Sequence, residues 1–301
     1  MPISTSNHPK ALWPGVKTWW GKVYDEHPEE WSKIFDKETS TQNYEEDVLS
    51  TAFGLAPVKT QGGSISFVTD SQGFTTRYTN VTYALGYIVT MEELQDNLYE
   101  KVSKKRAGAL AFSFRQTKEN VAAQLLNRAF NSSYTFGDGQ QLIDTDHPDG
   151  TGGTFSNQLS VAADLSEASI EDLVIQMMGA VDSAGNRIPV RPKCLIVPRQ
   201  EWFNAKRILG NPARPETANR DINVLYAENI IPEIVLNHYL TDTDAWFIKS
   251  DVRNGLKMYQ RMAISFEQDN DFDTRNAKAA SVERYSFGST DPRGIWGSAG
   301  G

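Results

Sequence analysis

The spacing of apolar and polar positions changes period several times along the chain. Between residues 91 and 130, Leu94, Leu98, Val102, Leu110, Phe114, Val121 and Leu125 recur at helical intervals with no proline among them. Thr90 stands at the N-cap position with Glu93 three residues on, a capping-box spacing. Glu92, Glu93 and Asp96 lie at the positive end of the helix dipole and Arg128 near the negative end. The spacing predicts one helix over residues 91–130, a rod of roughly 60 Å at about 1.5 Å per residue. Just before it the period is two. Ile65 and Phe67 alternate with Ser64, Ser66 and Thr69, and Asp70-Ser71-Gln72-Gly73 supplies turn chemistry. The run from Phe74 to Val89 is rich in Thr, Tyr and Val, with Arg77 its only charge. This predicts a long β-hairpin over residues 61–90, which must pack on something, because isolated hairpins are marginal in water.

Residues 131–165 are turn-rich, with Gly137-Asp138-Gly139 and Asp149-Gly150-Thr151-Gly152-Gly153. Beyond them the pattern predicts a helix from Leu165 to Val181 capped by Ser166, and a short buried strand from Lys193 to Val197 stopped by Pro198. A helix from Arg199 to Leu209 ends at Gly210 and Pro212, and further strands run from Ile230 to Leu236 and Ala245 to Ile248. Strand-like runs from Leu256 to Phe266 and Ala279 to Phe287 flank the acidic turn at residues 269–273. Mixed elements of this kind define an α+β chain. Residues 1–60 fit neither period. Trp13, Trp19, Trp20 and Trp31 are interspersed with Pro14, Pro28 and many charges, which predicts no regular strand and no long helix. Aromatics on such a segment need another surface to bury them, either a neighbouring subunit or their own domain.

Charge narrows the function classes. The 301 residues carry a formal charge of −8, the opposite of a protein that grips nucleic acid along a broad basic surface. The balance is uneven: −3 over residues 1–60, zero over 61–90, +2 over 91–130 and −7 beyond. Cys194 is the only cysteine, so an intramolecular disulfide is impossible and Cys-rich metal sites are excluded. His8, His27, His147 and His238 show no metal-ligand spacing. No apolar run reaches the roughly 18 residues a membrane helix needs, and the opening residues lack a signal-peptide core. The expectation is a soluble protein made in a reducing compartment.

A search for catalytic chemistry returns little. Asp146-His147 suggests a pair, but sequence neighbours point apart and no Gly-x-Ser-x-Gly nucleophile motif exists. Asp144-Thr145-Asp146 imitates the start of a calcium loop, yet Asp149 stands where glycine is required and Phe155 where glutamate is. Asp269, Asp271 and Asp273 fail in the same way, with Thr274 and Ala280 at those positions. Gly150, Gly152 and Gly153 follow no strand and precede no Gly-Lys-Ser/Thr. Lys101, Lys104, Lys105 and Arg106 describe a solvated helix face. No cofactor, metal site or catalytic residue is expected.

An ordered chain with a very long helix, a projecting hairpin and an aromatic N-terminal segment, but no active site, suits an assembly subunit. The chain resembles major capsid proteins of tailed bacteriophages with the Hong Kong 97-type fold, closest to Mu-like major head subunits. The resemblance covers nearly the whole chain. It rests on Lys17-Thr18-Trp19-Trp20-Gly21, Gly54-Leu55-Ala56-Pro57 and Tyr83-Ala84-Leu85-Gly86-Tyr87 running into Thr90-Met91-Glu92-Glu93. It continues through Leu126-Asn127-Arg128-Ala129-Phe130, Asp138-Gly139 to His147-Pro148, Ser156-Asn157-Gln158-Leu159, Asn223-Val224 and Asp244-Ala245-Trp246-Phe247. It implies an N-terminal arm over residues 1–60 and an E-loop hairpin over 61–90. A peripheral domain with its spine helix would span 91–164, an axial domain 165–255, and a return to the peripheral domain with the C-terminus 256–301. It further implies contacts to neighbouring subunits through Trp13, Trp19, Trp20, Trp31, Phe67, Phe74, Arg77 and Tyr78.

The function so implied is an icosahedral shell of hexamers and pentamers around double-stranded DNA, in the virion, assembled in the bacterial cytoplasm without catalysis. Partners would be further copies of the chain, a separate scaffold, a maturation protease, a portal protein and a decoration protein, with no sequence-specific DNA contact and no membrane. Some such shells weld an E-loop lysine to a neighbour's asparagine. Residues 60–90 hold no lysine, so cohesion is expected to be noncovalent. The alternatives are an encapsulin-type shell around protein cargo, disfavoured by the long tryptophan-bearing arm where encapsulins begin with a helix, and a hydrolase using Asp146 or His147.

Overall fold

The computed structural model describes residues 13–69, 72–90, 92–93, 99–149, 152–213, 221–271 and 276–301. The chain opens with α1 (Trp13–Glu26), α2 (Trp31–Ile34), β1 (Asp36–Thr39) and β2 (Tyr44–Ser50). After an irregular stretch come β3 (Gln72–Thr79), β4 (Val81–Val89), α3 (Tyr99–Asn127), β5 (His147–Pro148) and β6 (Thr154–Phe155). Then follow α4 (Glu167–Met178), β7 (Pro192–Val197), α5 (Trp202–Gly210), α6 (Val224–Ala227), β8 (Glu233–Leu236) and β9 (Trp246–Ser250). The chain closes with β10 (Leu256–Asn270), β11 (Ala277–Ser289) and β12 (Ile295–Ser298).

Two four-stranded sheets carry the architecture. The first has the order β1-β10-β11-β4, antiparallel except where β1 joins β10. Its inner face meets α3, because β11 alternates Ala277, Ala279 and Tyr285 inward as period-two residues must. Phe266, Val89 and the helix residues Ala107, Leu110, Ala111 and Phe114 complete that core with Trp20 and Tyr24 of α1. Trp20 stacks on Tyr24 at 5.5 Å and on Phe266 at 5.4 Å. α1 and α3 approach closely at Gly108, where an added Cβ would lie 3.7 Å from a Val23 methyl.

The second sheet has the order β12-β9-β7-β8. Both of its faces are covered, so β9 and β12 are buried at every position and β7 at all but Lys193, rather than alternately. Leu195, Val197, Trp246, Ile248 and Trp296 face a core shared with α4 and α5. Cys194, Ile196, Phe247 and Ile295 face Leu126, Leu142, Ile143, Trp31 and Phe35. This second core locks the end of α3 and the α2 turn against the sheet.

Several expectations hold. Ser166 caps α4 with a reciprocal capping box through Ser169. The second-unit strands and helices and both closing strands fall where the pattern placed them. Glu93 donates its amide to Thr90 Oγ1 at 3.4 Å, as the cap spacing demands. Residues 91 and 94–98, which include Leu94 and Leu98, lie outside the described residues, as do Asp70 and Ser71 of the expected turn and residues 272–275 of the acidic one.

The structure departs from the sequence pattern in five places. Residues 13–26 are helical, because Pro14 occupies the first turn, where its missing N–H is not needed, and the second half packs on α3. Within the expected arm, β1 and β2 are regular strands. The ribbon is β2 paired with β3, not residues 64–69 with the run from Phe74, since β2 reaches β3 first and leaves 51–69 without regular structure. The return run itself divides at Asn80, β4 turning into the first sheet. β12 pairs with β9, so the last strand of the 256–301 segment belongs to the second sheet.

Candidate assembly surfaces

The β2–β3 ribbon is fastened at its root by a chain of polar contacts. Lys257 Nζ lies 2.5 Å from Asp47 Oδ2 and 3.4 Å from Glu38 Oε1. Thr290 Oγ1 donates to Asp47 Oδ2 at 2.9 Å and accepts from the Tyr78 hydroxyl at 2.6 Å. Burial pushes the Tyr78 phenol far above its ordinary pKa, so it remains a neutral donor. The Tyr78 ring lies against Gly288, where an added Cβ would stand 2.6 Å from the ring.

Farther out the ribbon is wet. Arg77 stacks over Tyr44 at 3.6 Å and pairs with Glu46 at 3.7 Å, all three exposed. At its end Ala52 N donates to Ser183 Oγ at 2.6 Å and Asn186 Nδ2 donates to Phe53 O at 3.2 Å, tying the loop to the turn after α4. Beyond these bonds Leu55, Val58 and Phe67 are 83%, 96% and 91% exposed. Large apolar side chains held out on a projecting loop mark a contact surface.

The residues expected to touch neighbours divide. Trp20, Trp31 and Tyr78 are buried in their own subunit, which corrects that part of the expectation. Trp31 packs edge-on against Phe287 at 5.8 Å and under the Lys118 ammonium at 5.1 Å, because α2 is docked on α3. Phe74 is half-buried, whereas Trp19, Phe67 and Arg77 are exposed. Trp13 begins α1, and its side chain lies outside the described residues. Sequence reasoning did not single out Val81, Leu85 and Ile88, all about half exposed on β4. The near absence of charge in that run was visible, but its position at a sheet edge was not.

His147 and its neighbours form a structural node. Its Nδ1 lies 2.6 Å from Asp138 Oδ2 and its Nε2 3.1 Å from Asn157 Oδ1. Asn157 Nδ2 shares its two N–H groups among the carbonyls of Leu142, Pro292 and Ile295 at 2.9, 3.0 and 3.1 Å, so its Oδ1 is an acceptor and His147 Nε2 must donate. The partner of His147 is therefore Asp138 and not the exposed Asp146. The adjoining cavity holds about 10 Å³, room for one water at most, and offers a substrate no place. Asp144 accepts from the amides of Thr145 and Asp146 at 2.7 and 3.3 Å, closing a turn. Among the described residues no three His, Cys, Asp or Glu side chains are grouped to hold a metal, and no helix is long and apolar enough to cross a membrane. Arg106 is paired with Glu93 through two bonds of 2.8 and 3.0 Å, and the side chains of Lys101 and Lys104 lie outside the described residues.

A chain whose described surface offers a rooted ribbon ending in an exposed apolar loop, and whose buried histidine–carboxylate pair is sealed into the packing, has the make-up of a structural subunit. Residues 73–298 match the model of the phage capsid protein family, and the chain belongs to that family. Its fold is the Hong Kong 97-type capsid fold. The empty gene-transfer-agent particle capsid aligns with a TM-score of 0.56 at 12% identity, over 90% of each chain. The virus-like particle from Pyrococcus furiosus aligns at 0.55 and 10% identity, over 95% of this chain and 98% of that one. The bacteriophage JBD30 procapsid aligns at 0.50 and 15% identity, over 98% and 76%. No curated protein sequence matches the chain. The family consists of shell proteins, so the chain is a component of the virion.

Proposed function

We propose that this chain is the major head subunit of a tailed bacteriophage, closing as hexamers and pentamers into an icosahedral shell around double-stranded DNA. The observation that carries this reading is the family match over residues 73–298. Residues 13–60 and the loop to 69 form the arm and E-loop, α3 with the first sheet the peripheral domain, and the second sheet with α4 to α6 the axial domain. Cohesion between subunits is noncovalent and runs through the exposed loop and ribbon, with Trp19, Phe67, Phe74 and Arg77 as contact residues. Assembly takes place in the host cytoplasm with a scaffold, protease, portal and decoration protein encoded separately. No turnover belongs to the chain.

A shell around protein cargo is the second reading, and the fold likeness to the Pyrococcus furiosus virus-like particle favours it. The helix α1, which carries Trp13, Trp19 and Trp20, weakens the argument that a long tryptophan-bearing arm stands where that class has a helix. The family match weighs toward the viral shell. Negative-stain microscopy and sedimentation of the expressed chain, alone and with a scaffold from the same genome, test the proposal. Closed particles or capsomers are expected. Monomers under every assembly condition would count against both readings, and particles that copurify with an enzyme instead of packaging DNA would select the second.

A further inference from the structure

β4 is the last strand of the first sheet, and among the described residues nothing pairs with its outer edge. Its sequence, Val81 to Val89, contains no charge and no proline. Proteins ordinarily protect a free edge with lysine, proline, a bulge or a covering element, because an open apolar edge recruits another strand. The far end of β4 is guarded, where Arg106 Nη1 donates to Ile88 O at 3.4 Å. The side chains that share the inner face of β4 are also incompletely covered. Tyr83 stacks on Tyr285 at 4.7 Å, but Val81 and Leu85 are 49% and 51% exposed. Beside them lies an open groove of about 310 Å³ lined by Val81, Tyr83, Val121, Leu125, Tyr134 and Phe136.

The same chain contains a strand without a sheet. Residues 64–67 alternate Ile65 and Phe67 with Ser64 and Ser66, the period-two pattern of a half-buried strand, before Val68 and Thr69. In the structure Gly63 N donates to Thr60 O, residues 63–69 make no ladder, and Ile65 and Phe67 are exposed. They cannot reach β4 of their own subunit by folding back. β3 separates them from Asn80, and its eight residues span about 26 Å at ~3.3 Å each. This segment, like the edge, is uncharged, and the cation that lines the groove, Arg128, is held over the Tyr134 ring at 4.3 Å.

We propose that residues 63–69 of one subunit add as a fifth strand to the Val81–Gly86 edge of a second copy. Main-chain hydrogen bonds supply the attachment, and alternate side chains supply the specificity, as in other strand additions. Because Ile65 and Phe67 share one face, an antiparallel register that turns them inward lays Phe67 against Val81 and Ile65 against Tyr83 and seats the Phe67 ring in the groove. The inference rests on the shell reading above and names the receptor of its projecting loop.

The test uses assembled particles of the full chain. Hydrogen exchange of the unmodified protein compares particles with free subunits, and amides within Val81–Gly86 should slow at least about tenfold on assembly. In parallel, Phe67 is replaced by the photoreactive benzoylphenylalanine, and labelled and unlabelled chains are mixed before assembly. Illumination should join position 67 of one isotope class to residues 79–90 or 121–136 of the other. Links confined to one chain, links to another part of the neighbour, or equal exchange at Val81–Gly86 in both states would overturn the strand addition. If the substituted chain fails to assemble, the exchange result on the unmodified protein decides alone. Particles without the contact remove this inference and leave the shell reading intact; absence of particles from the unmodified chain removes both.

Discussion

Lys118 of α3 and Glu283 of β11 form an ion pair in which both side chains are almost sealed from water, at 3% and 1% exposure. The Lys118 ammonium also lies 5.1 and 5.0 Å from the centres of the Trp31 and Tyr285 rings, so the pair is enclosed by aromatics. Burial lowers the Lys118 pKa, and Glu283 opposes that shift. The pair therefore joins helix to sheet at one register, and each charge is tolerable only in the presence of the other.

Removing one partner should be far worse than removing both. Lys118→Met is expected to cost about 3–5 kcal/mol, because Glu283 would be left buried and uncompensated. Lys118→Met combined with Glu283→Leu should recover most of that loss. Denaturant unfolding of the three proteins checks the prediction, and equal losses in single and double variants would reject it.

Glu119 gives a pH dependence with a definite sign. Burial pushes its carboxyl up to about 7, although the amides of Glu30 and Trp31, at 2.9 and 3.0 Å, oppose the shift. Between the ordinary value near 4.5 and about 7, the folded chain keeps a proton that the unfolded chain has released. Its contribution to stability should therefore fall as pH rises through that window. Glu119→Gln, which retains a carbonyl acceptor, should flatten the unfolding free energy measured from pH 4.5 to 7.

Asn157→Ala should deprive the buried carbonyls of Leu142 and Ile295 and the half-buried one of Pro292 of their donor, and His147 of its acceptor. A loss of about 3 kcal/mol or more is expected, since each unsatisfied buried group costs roughly 1–3 kcal/mol. Thermal unfolding reads the loss, and limited proteolysis between residues 130 and 160 should show where the chain opens.

The tryptophans should separate folding from assembly. Trp31→Ala is expected to destabilise the subunit by about 3–5 kcal/mol. Trp19→Ala, at a side chain 40% exposed, should leave subunit unfolding unchanged and weaken particle yield. Yield unchanged by Trp19→Ala would remove Trp19 from the interface.

Cys194 provides a reporter of opening. It is buried, and burial pushes its thiol up to about 11, so little thiolate exists near neutral pH. A thiol reagent should react with the folded subunit only as fast as it opens, and rapid labelling of intact particles would contradict the packing around β7.

The sequence by itself determined the local elements whose period is strong and whose ends are capped. The helix over α3, the Ser166-capped α4, the buried strand at β7 and the two long closing strands depend on contacts near in sequence or on uniform apolar runs. It also excluded disulfides and a broad basic surface by composition alone. Only tertiary structure decided which strands pair and which aromatics are buried. Trp19 and Trp20 are neighbours in one helix, yet one faces water and the other is wedged between Tyr24 and Phe266, because α1 lies on α3. β2 could not be recognised as the partner of β3, since Tyr44-Glu45-Glu46-Asp47 is too acidic to look like a strand until Lys257 and Arg77 stand beside it. β12 was hidden for a related reason: four residues become a strand only when β9 supplies the ladder. Periodicity shows which side of an element is apolar. What that side meets is settled by contacts between residues distant in the chain, and in a shell protein some of those contacts belong to the next subunit.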